Sequence, residues 1–106
     1  MKQTFDDSEC RLLADLLGVF ANPTRIRLFC ALQEGPKTVS ELAELAHVSL
    51  QNASQHLRLM RDKGTVTTEK KGQQVVYNIV DERFLLGARM MKDALVDALH
   101  RKLANS

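Results

Sequence analysis

Five polar side chains, spaced to share the outer face of one helix, carry hydrogen-bonding chemistry suited to a nucleic acid. They are Gln51, Asn52, Ser54, Gln55 and Arg58. A carboxamide can form two hydrogen bonds to adenine, a hydroxyl can bond to several bases, and a guanidinium prefers guanine or a phosphate. A helix that presents these groups from its N-terminal half is suited to contact base edges in the DNA major groove.

The helix that positions these side chains has a distinct inward face. Its apolar residues follow at steps of three, four and three residues: Leu50, Ala53, Leu57 and Met60. This spacing predicts one buried stripe. Ser49 can cap the helix by accepting a backbone N–H, and Gly64, directly after Lys63, suits the left-handed position past its end.

A shorter helix precedes it, with apolar residues at helical spacing: Val39, Leu42, Ala43, Leu45 and Ala46. His47, Val48 and Ser49 form the turn between the two helices. The sequence therefore predicts a helix-turn-helix over residues 38–63. The alternative is an ordinary two-helix corner whose polar outer face is merely solvated.

A β-hairpin is predicted after Gly64, over residues 65–80. Val66 and Thr68 alternate with polar residues, and residues 75–79 are rich in strand formers. Lys70 and Lys71 precede Gly72 in a polar tip, which can contact phosphates or the minor groove as the wing of a winged helix. Alternatively, the lysines only protect an edge strand from pairing.

Length and composition indicate one globular domain. The chain has 106 residues, of which 44% are hydrophobic and 26% charged. No apolar run approaches the ~18 residues of a membrane span, and the acidic N-terminus lacks a signal peptide, so we expect a cytoplasmic protein that does not contact membrane. Between Gln51 and Gln74, five basic residues stand against two acidic ones, a local excess of three.

Two apolar helices flank this region, predicted over residues 8–20 and 82–103. Between them, Asn22 is expected to cap a further helix that has Pro23 at its first position. The last helix is expected to pack against the first helix and against the same pair in a second subunit, because 106 residues offer little else to cover it. The alternative is a final helix that completes a monomer core. The predicted fold is mainly α, α+β in class: a winged helix-turn-helix with about five helices and a two-stranded hairpin.

Three segments together resemble the ArsR/SmtB family of winged-helix repressors: NPTRIRLFCAL, VSELAELAHVSLQNASQHLRLMRDKGTV and KKGQQVVYNI. The resemblance extends from Leu12 to about Leu103. It implies a homodimer that binds an operator and releases it when an inducer binds. By position, the groove-contacting residues are Gln51, Asn52, Ser54 and Gln55, and Ser49 and Arg58 contact phosphates. Thr65 departs from the leucine usual in the family, which is expected to weaken core packing.

The metal-binding patterns of the family are not matched. Ala43 and Leu45 occupy the positions of its thiolate pair, and the zinc pattern of its last helix meets Asp81-Glu82-Arg83 and then Ala94 and Asp97. Asp81 is more simply a strand-end or helix-cap residue. Asp97 and His100 lie one turn apart, but two ligands are too few for a site in one chain. No metal site and no cofactor is therefore predicted.

Cys10 and Cys30 offer another inducer hypothesis. They flank the corner at Asn22 at similar distances in sequence, so back-folded helices could bring the thiols together as a redox switch. A disulfide needs Cα atoms within roughly 7 Å. The alternative is that Cys30 is a small core residue and Cys10 an incidental surface thiol.

No enzymatic motif accompanies these features. The sequence has no glycine-rich phosphate loop, nucleophile elbow or HExxH, so we predict that the chain is not an enzyme. Two alternatives to an inducible repressor stay open: a winged helix that binds another protein, and a repressor without a small-molecule inducer.

Overall fold

The computed structural model describes residues 4–105, which form five helices and three strands. In chain order these are α1 (Asp7–Val19), α2 (Pro23–Leu32), β1 (Lys37–Thr38), α3 (Val39–Ala46), α4 (Leu50–Asp62), β2 (Val66–Lys71), β3 (Gln74–Ile79) and α5 (Arg83–Ala104). The predicted number of helices is confirmed. The predicted two-stranded hairpin is confirmed as β2 and β3, and a third strand that was not predicted joins it.

The third strand is β1, which pairs with β3 and gives the antiparallel order β1-β3-β2. Lys37 lies opposite Tyr77 and Thr38 opposite Val76. Two residues carry no detectable alternation, so this strand cannot be recognised from sequence periodicity. Its effect is to tie the start of α3 to the hairpin, which fixes the helix pair relative to the wing.

The helix ends follow local capping chemistry. Asp6 and Glu9 form a capping box at α1, so this helix begins before the expected Ser8. Thr38 and Glu41 form a second box at α3, and the predicted cap of α2 by Asn22 is confirmed. These boxes satisfy backbone N–H groups that have no partner within the helix.

The core lies between α2, α3, α4 and the base of the hairpin. Its largest buried side chains are Leu28, Phe29, Leu32, Leu42, Leu57 and Met60. Phe20, at the end of α1, stacks on Phe29 with ring centroids 4.4 Å apart. The predicted inward stripe of α4 is confirmed except at Leu50, which is 52% exposed at the first turn, and Leu45 of α3 is likewise exposed.

The long helix α5 has no buried residue. It carries exposed apolar side chains along its length, including Met91, Leu95 and Leu99. Among the helices described for residues 4–105, none has the length and apolar character needed to cross a membrane.

Candidate nucleic-acid interface

The outer face of α4 is polar, exposed and free of internal partners. Gln51, Asn52, Gln55 and Arg58 are exposed, and Ser54 is half-buried at the border of the face. Within residues 4–105, none of these five side chains forms a hydrogen bond or an ion pair. At about 100° per residue, Gln51, Gln55 and Arg58 fall within about 60° of one another. The structure therefore brings these three groups to one surface with their hydrogen-bonding capacity unused. Asn52 and Ser54 lie on opposite flanks of that surface, about 160° apart around the helix axis.

The N-terminus of α4 opens onto the same surface. Ser49 lies in extended conformation, and its Oγ accepts the backbone N–H of Asn52 at 3.0 Å, so the predicted cap is confirmed. The first turn of α4 holds no acidic residue. The positive end of the helix dipole is therefore not offset by a carboxylate of its own helix, which favours an anion such as a phosphate there.

The turn before α4 is set by His47, whose φ of 57° places it in the left-handed region. Its backbone N–H bonds to the carbonyls of Ala43 and Glu44, which ends α3. At the other end, Gly64 has φ of 81°, as predicted for the position after Lys63. Local sequence thus sets the turn before α4 and the end of α4.

The wing differs from its prediction at the tip. The turn consists of Gly72 and Gln73 alone, and Lys71 pairs with Gln74 in the ladder. Gly72 has φ of 63°, as expected for the first position of a tight hairpin turn. Lys70 and Lys71 are therefore strand residues, not loop residues. Because successive strand residues point to opposite faces, the two exposed lysines cannot both face the same way.

Part of the basic charge expected at this surface is engaged elsewhere. Lys63 Nζ lies 3.0 Å from a carboxylate oxygen of Asp15 on α1. Arg58, Lys70 and Lys71 form no ion pair among the described residues. The local excess of positive charge therefore lies mainly on the outer face of α4 and on strand β2 of the hairpin.

Arg25 of α2 joins α1 to α4, a connection that sequence reasoning missed. Its Nε donates to the carbonyl of Val19 at 2.7 Å, and Nη2 donates to the carbonyl of Gly18 at 3.2 Å. Its Nη1 lies 3.3 Å from Nδ1 of His56 on α4. The guanidinium of Arg25 therefore closes the C-terminus of α1.

His56 faces inward beside Arg25. Burial, followed by the charge of Arg25, lowers the pKa of His56 below its usual 6.5. The imidazole therefore favours its neutral form, in which Nδ1 can accept a hydrogen bond from the guanidinium. The contact with Arg25 links α4 to α2, outside the helix-turn-helix pair.

Thr65 is fully buried between α4 and β2. Its Oγ1 donates to the carbonyl of Met60 at 2.8 Å. Threonine in place of the leucine usual in the family thus exchanges apolar contact for a hydrogen bond at the end of α4. In the described residues, no buried side-chain polar atom lacks a hydrogen-bond partner.

The two cysteines are both exposed free thiols. Cys30 is therefore not a core residue, and no disulfide joins it to Cys10 in this structure. The described residues contain no group of three His, Cys, Asp or Glu side chains placed to hold a metal ion. Asp81 accepts the backbone N–H and the guanidinium of Arg83, which lowers its pKa to about 2. Asp81 is not the N-cap residue itself, because Glu82 holds that position without a side-chain cap hydrogen bond. The Asp81 carboxylate instead accepts the backbone N–H of Arg83, the first residue of α5.

A helix pair followed by a β-hairpin wing defines a winged helix-turn-helix protein. Residues 20–69 match a family model described as a helix-turn-helix domain. The HTH-type transcriptional repressor SmtB of Mycobacterium tuberculosis is 34% identical over 84 residues, which cover 79% of this chain and 60% of that protein. The transcriptional activator HlyU of Vibrio cholerae is 34% identical over 86 residues, covering 81% of this chain and 72% of that protein.

Among solved structures, Rv0081 of M. tuberculosis superposes with a TM-score of 0.80 at 24% identity, covering 92% of this chain and 99% of that one. The chain belongs to the ArsR/SmtB family of winged helix-turn-helix transcriptional regulators. It spans only 60% of the length of the SmtB protein that it matches. The relatives are regulators and not enzymes, which agrees with the prediction for this chain.

Proposed function

We propose that this protein is a sequence-specific DNA-binding repressor. The observation that carries the proposal is the outer face of α4, where amide and guanidinium groups are exposed and make no internal hydrogen bond. Gln51, Asn52, Ser54 and Gln55 would contact base edges, and Ser49 and Arg58 would contact phosphates. Lys70 and Lys71 would add phosphate contacts from the wing.

We further propose that it acts as a homodimer on an inverted repeat. The apolar faces of α1 and α5 support this, since Leu12 is 72% exposed and Leu95 60% exposed in one chain. A two-fold axis through these helices would cover both faces and direct two α4 helices to one side of DNA. The expected half-sites are about one helical turn apart, roughly 34 Å. Such a protein would act in the cytoplasm, where it reaches the DNA.

Release by an inducer is the remaining part of the proposal. Cys10 and Cys30 are accessible to oxidants, so a thiol switch is one hypothesis. A metal or metalloid bound between subunits is another, with Asp97 and His100 as the first residues to test. SmtB is named a repressor and HlyU an activator, so the direction of regulation needs its own test, a reporter gene behind the bound DNA measured with and without the protein; a higher output with the protein would contradict repression.

The DNA surface is tested by fluorescence anisotropy with DNA from upstream of its own gene, at several salt concentrations. Gln55→Ala should reduce discrimination between this DNA and a scrambled duplex, because it removes a base contact. Lys71→Ala should weaken binding to both duplexes equally and lower the salt slope by about 1. Lys102→Ala, an equal change of charge on α5, is the matched control. If both test variants bind every duplex like the parent, the assigned surface is wrong.

The inducer is tested by repeating the titration after mild oxidation and with zinc or arsenite. Binding lost on oxidation but retained in Cys10→Ser or Cys30→Ser would support the thiol switch. Binding lost only with metal would indicate a site built by two subunits. Binding insensitive to all treatments would favour a repressor without these inducers, and no binding at any salt concentration would favour a protein-interaction module.

A further inference from the structure

A cavity of about 690 Å³ lies between α2, the end of β3 and α5. Its apolar walls include Ile26 and Phe29 from α2, Ile79 from β3, and Leu85 and Leu86 from α5. This volume is within the range of about 300–1,000 Å³ that is typical of small-molecule sites. The cavity is separate from the outer face of α4, none of whose predicted DNA-contacting residues lines it.

The cavity uses a different face of α5 from the proposed dimer contact. At about 100° per residue, Arg89 projects about 140° away from the stripe centred on Met91 and Leu95. Arg89 lines the cavity, whereas neither Met91 nor Leu95 does. A second subunit can therefore cover the apolar stripe of α5 and leave the cavity beside α2 open.

The charged groups of the cavity leave one cation without a partner. Lys92 is paired with Asp93. Arg89 forms no ion pair or hydrogen bond with any residue between 4 and 105. Glu82 and Asp93 also line the cavity, so its two cations and two carboxylates sum to zero. Glu82 precedes Arg89 by two helical turns, about 10 Å along the axis, and Asp93, one turn after Arg89, is paired with Lys92. Arg89 is therefore the one cation of the lining outside an ion pair, and a guanidinium beside apolar walls is complementary to a molecule with an apolar body and one anionic group.

We propose that this cavity binds an amphipathic organic anion, such as an aromatic carboxylate or sulfonate, with Arg89 as its counterion. The apolar body would lie against Ile26, Phe29 and Leu86. Cys30, whose thiol is exposed, also lines the cavity, so a bound molecule would cover it. The proposal concerns ligand binding alone and does not depend on DNA binding.

The probe is 8-anilinonaphthalene-1-sulfonate, titrated into the full chain and followed by fluorescence and calorimetry. One saturable site per protomer is expected. Arg89→Gln should weaken it about fivefold, the effect of a partly exposed ion pair of about 1 kcal/mol. Cys30→Phe should weaken it further by filling the cavity from an exposed position. Arg101→Gln, the same loss of charge elsewhere on α5, should bind like the parent.

Circular dichroism and thermal unfolding check that each variant folds as the parent does. Equal affinity in the parent, Arg89→Gln and Cys30→Phe would overturn the proposal, because the probe would then occupy other apolar surfaces. The absence of a saturable site in the folded parent would also overturn it. Protection of Cys30 from iodoacetamide by the probe gives an independent measurement, and unchanged alkylation at saturation would contradict the assigned position.

Discussion

Replacing Arg25 with alanine should loosen α1 and alter the environment of α4. The guanidinium donates to two carbonyls at the C-terminus of α1, at 2.7 Å from Val19 and 3.2 Å from Gly18, and contacts His56 at 3.3 Å. The last turn of α1 has no basic residue of its own. Arg25 therefore supplies both the donors and the positive charge that this helix end requires.

The expected cost follows from these contacts. A hydrogen bond to a charged group contributes about 1.5–3 kcal/mol, and the longer, exposed bond contributes less than the short one. We expect Arg25→Ala to lower the free energy of unfolding by about 2 kcal/mol, which corresponds to about 10 °C in Tm for a domain of this size. The Tm of Arg25→Lys should lie between those of the parent and of Arg25→Ala, because an ammonium keeps the charge but lacks the planar fork that reaches two carbonyls.

Two measurements check this at one fixed protein concentration, since a dimer unfolds in a concentration-dependent way. Calorimetry gives Tm for the parent and both variants. Proton NMR follows the titration of His56, with His56→Gln used to assign its resonance. Because the charge of Arg25 helps to lower the pKa of His56, Arg25→Ala should raise that pKa and Arg25→Lys should raise it less.

The result that would refute the reasoning is specific. If Arg25→Ala unfolds within about 1 °C of the parent and His56 titrates at the same pH in both, then Arg25 does not close α1 in solution. If Arg25→Ala lowers the stability but leaves the pKa of His56 unchanged, the contact of Arg25 with α1 is supported and its link to α4 is refuted.

Two further predictions concern Thr65 and His56. Thr65→Val should lower the free energy of unfolding by only about 1 kcal/mol, because the carbonyl of Met60 still accepts the backbone N–H of residue 65 at 3.0 Å. Thr65→Leu should lower it by about 1–3 kcal/mol through overpacking. Urea unfolding that finds the leucine variant more stable than the parent would contradict this. The pKa of His56 is lower in the folded chain than its ordinary 6.5, so the unfolded chain binds more protons at this residue. The contribution of His56 to the free energy of unfolding should therefore be complete above about pH 6.5 and be lost as the pH falls through the folded pKa. Urea unfolding at about pH 7.5 and about pH 5.5 should give a smaller decrease for His56→Gln than for the parent, and an equal decrease would mean that other groups cause it.

Much of the helix pair was predictable because its signals are local. The cap at Ser49, the end of α4 at Gly64 and the stripe of Ala53, Leu57 and Met60 each depend on residues within a few positions of one another. Hydrogen-bonding geometry and the 3.6-residue period are properties of the chain segment itself. The same reasoning wrongly predicted that Leu50 is buried, because the spacing shows which side of α4 faces inward but not how far along the helix the core extends.

Tertiary packing decided the features that depend on distant residues. Arg25 meets His56 across 31 positions, and Lys63 meets Asp15 across 48. In sequence, Arg25, Lys63 and Asp15 are indistinguishable from solvated charges. The exposure of Cys30 and the cavity beside it likewise depend on where α5 lies relative to α2.

The sequence by itself determined the helix boundaries, the hairpin, the polar face of α4 and the family, because periodicity, capping and turn chemistry are written within short segments. Only the tertiary structure decided which charges are engaged internally, that Lys37–Thr38 completes the sheet, and that Arg89 lines an apolar cavity. The physical reason is that an ion pair, a third strand or a cavity exists only when separate elements meet, and no local pattern specifies that meeting.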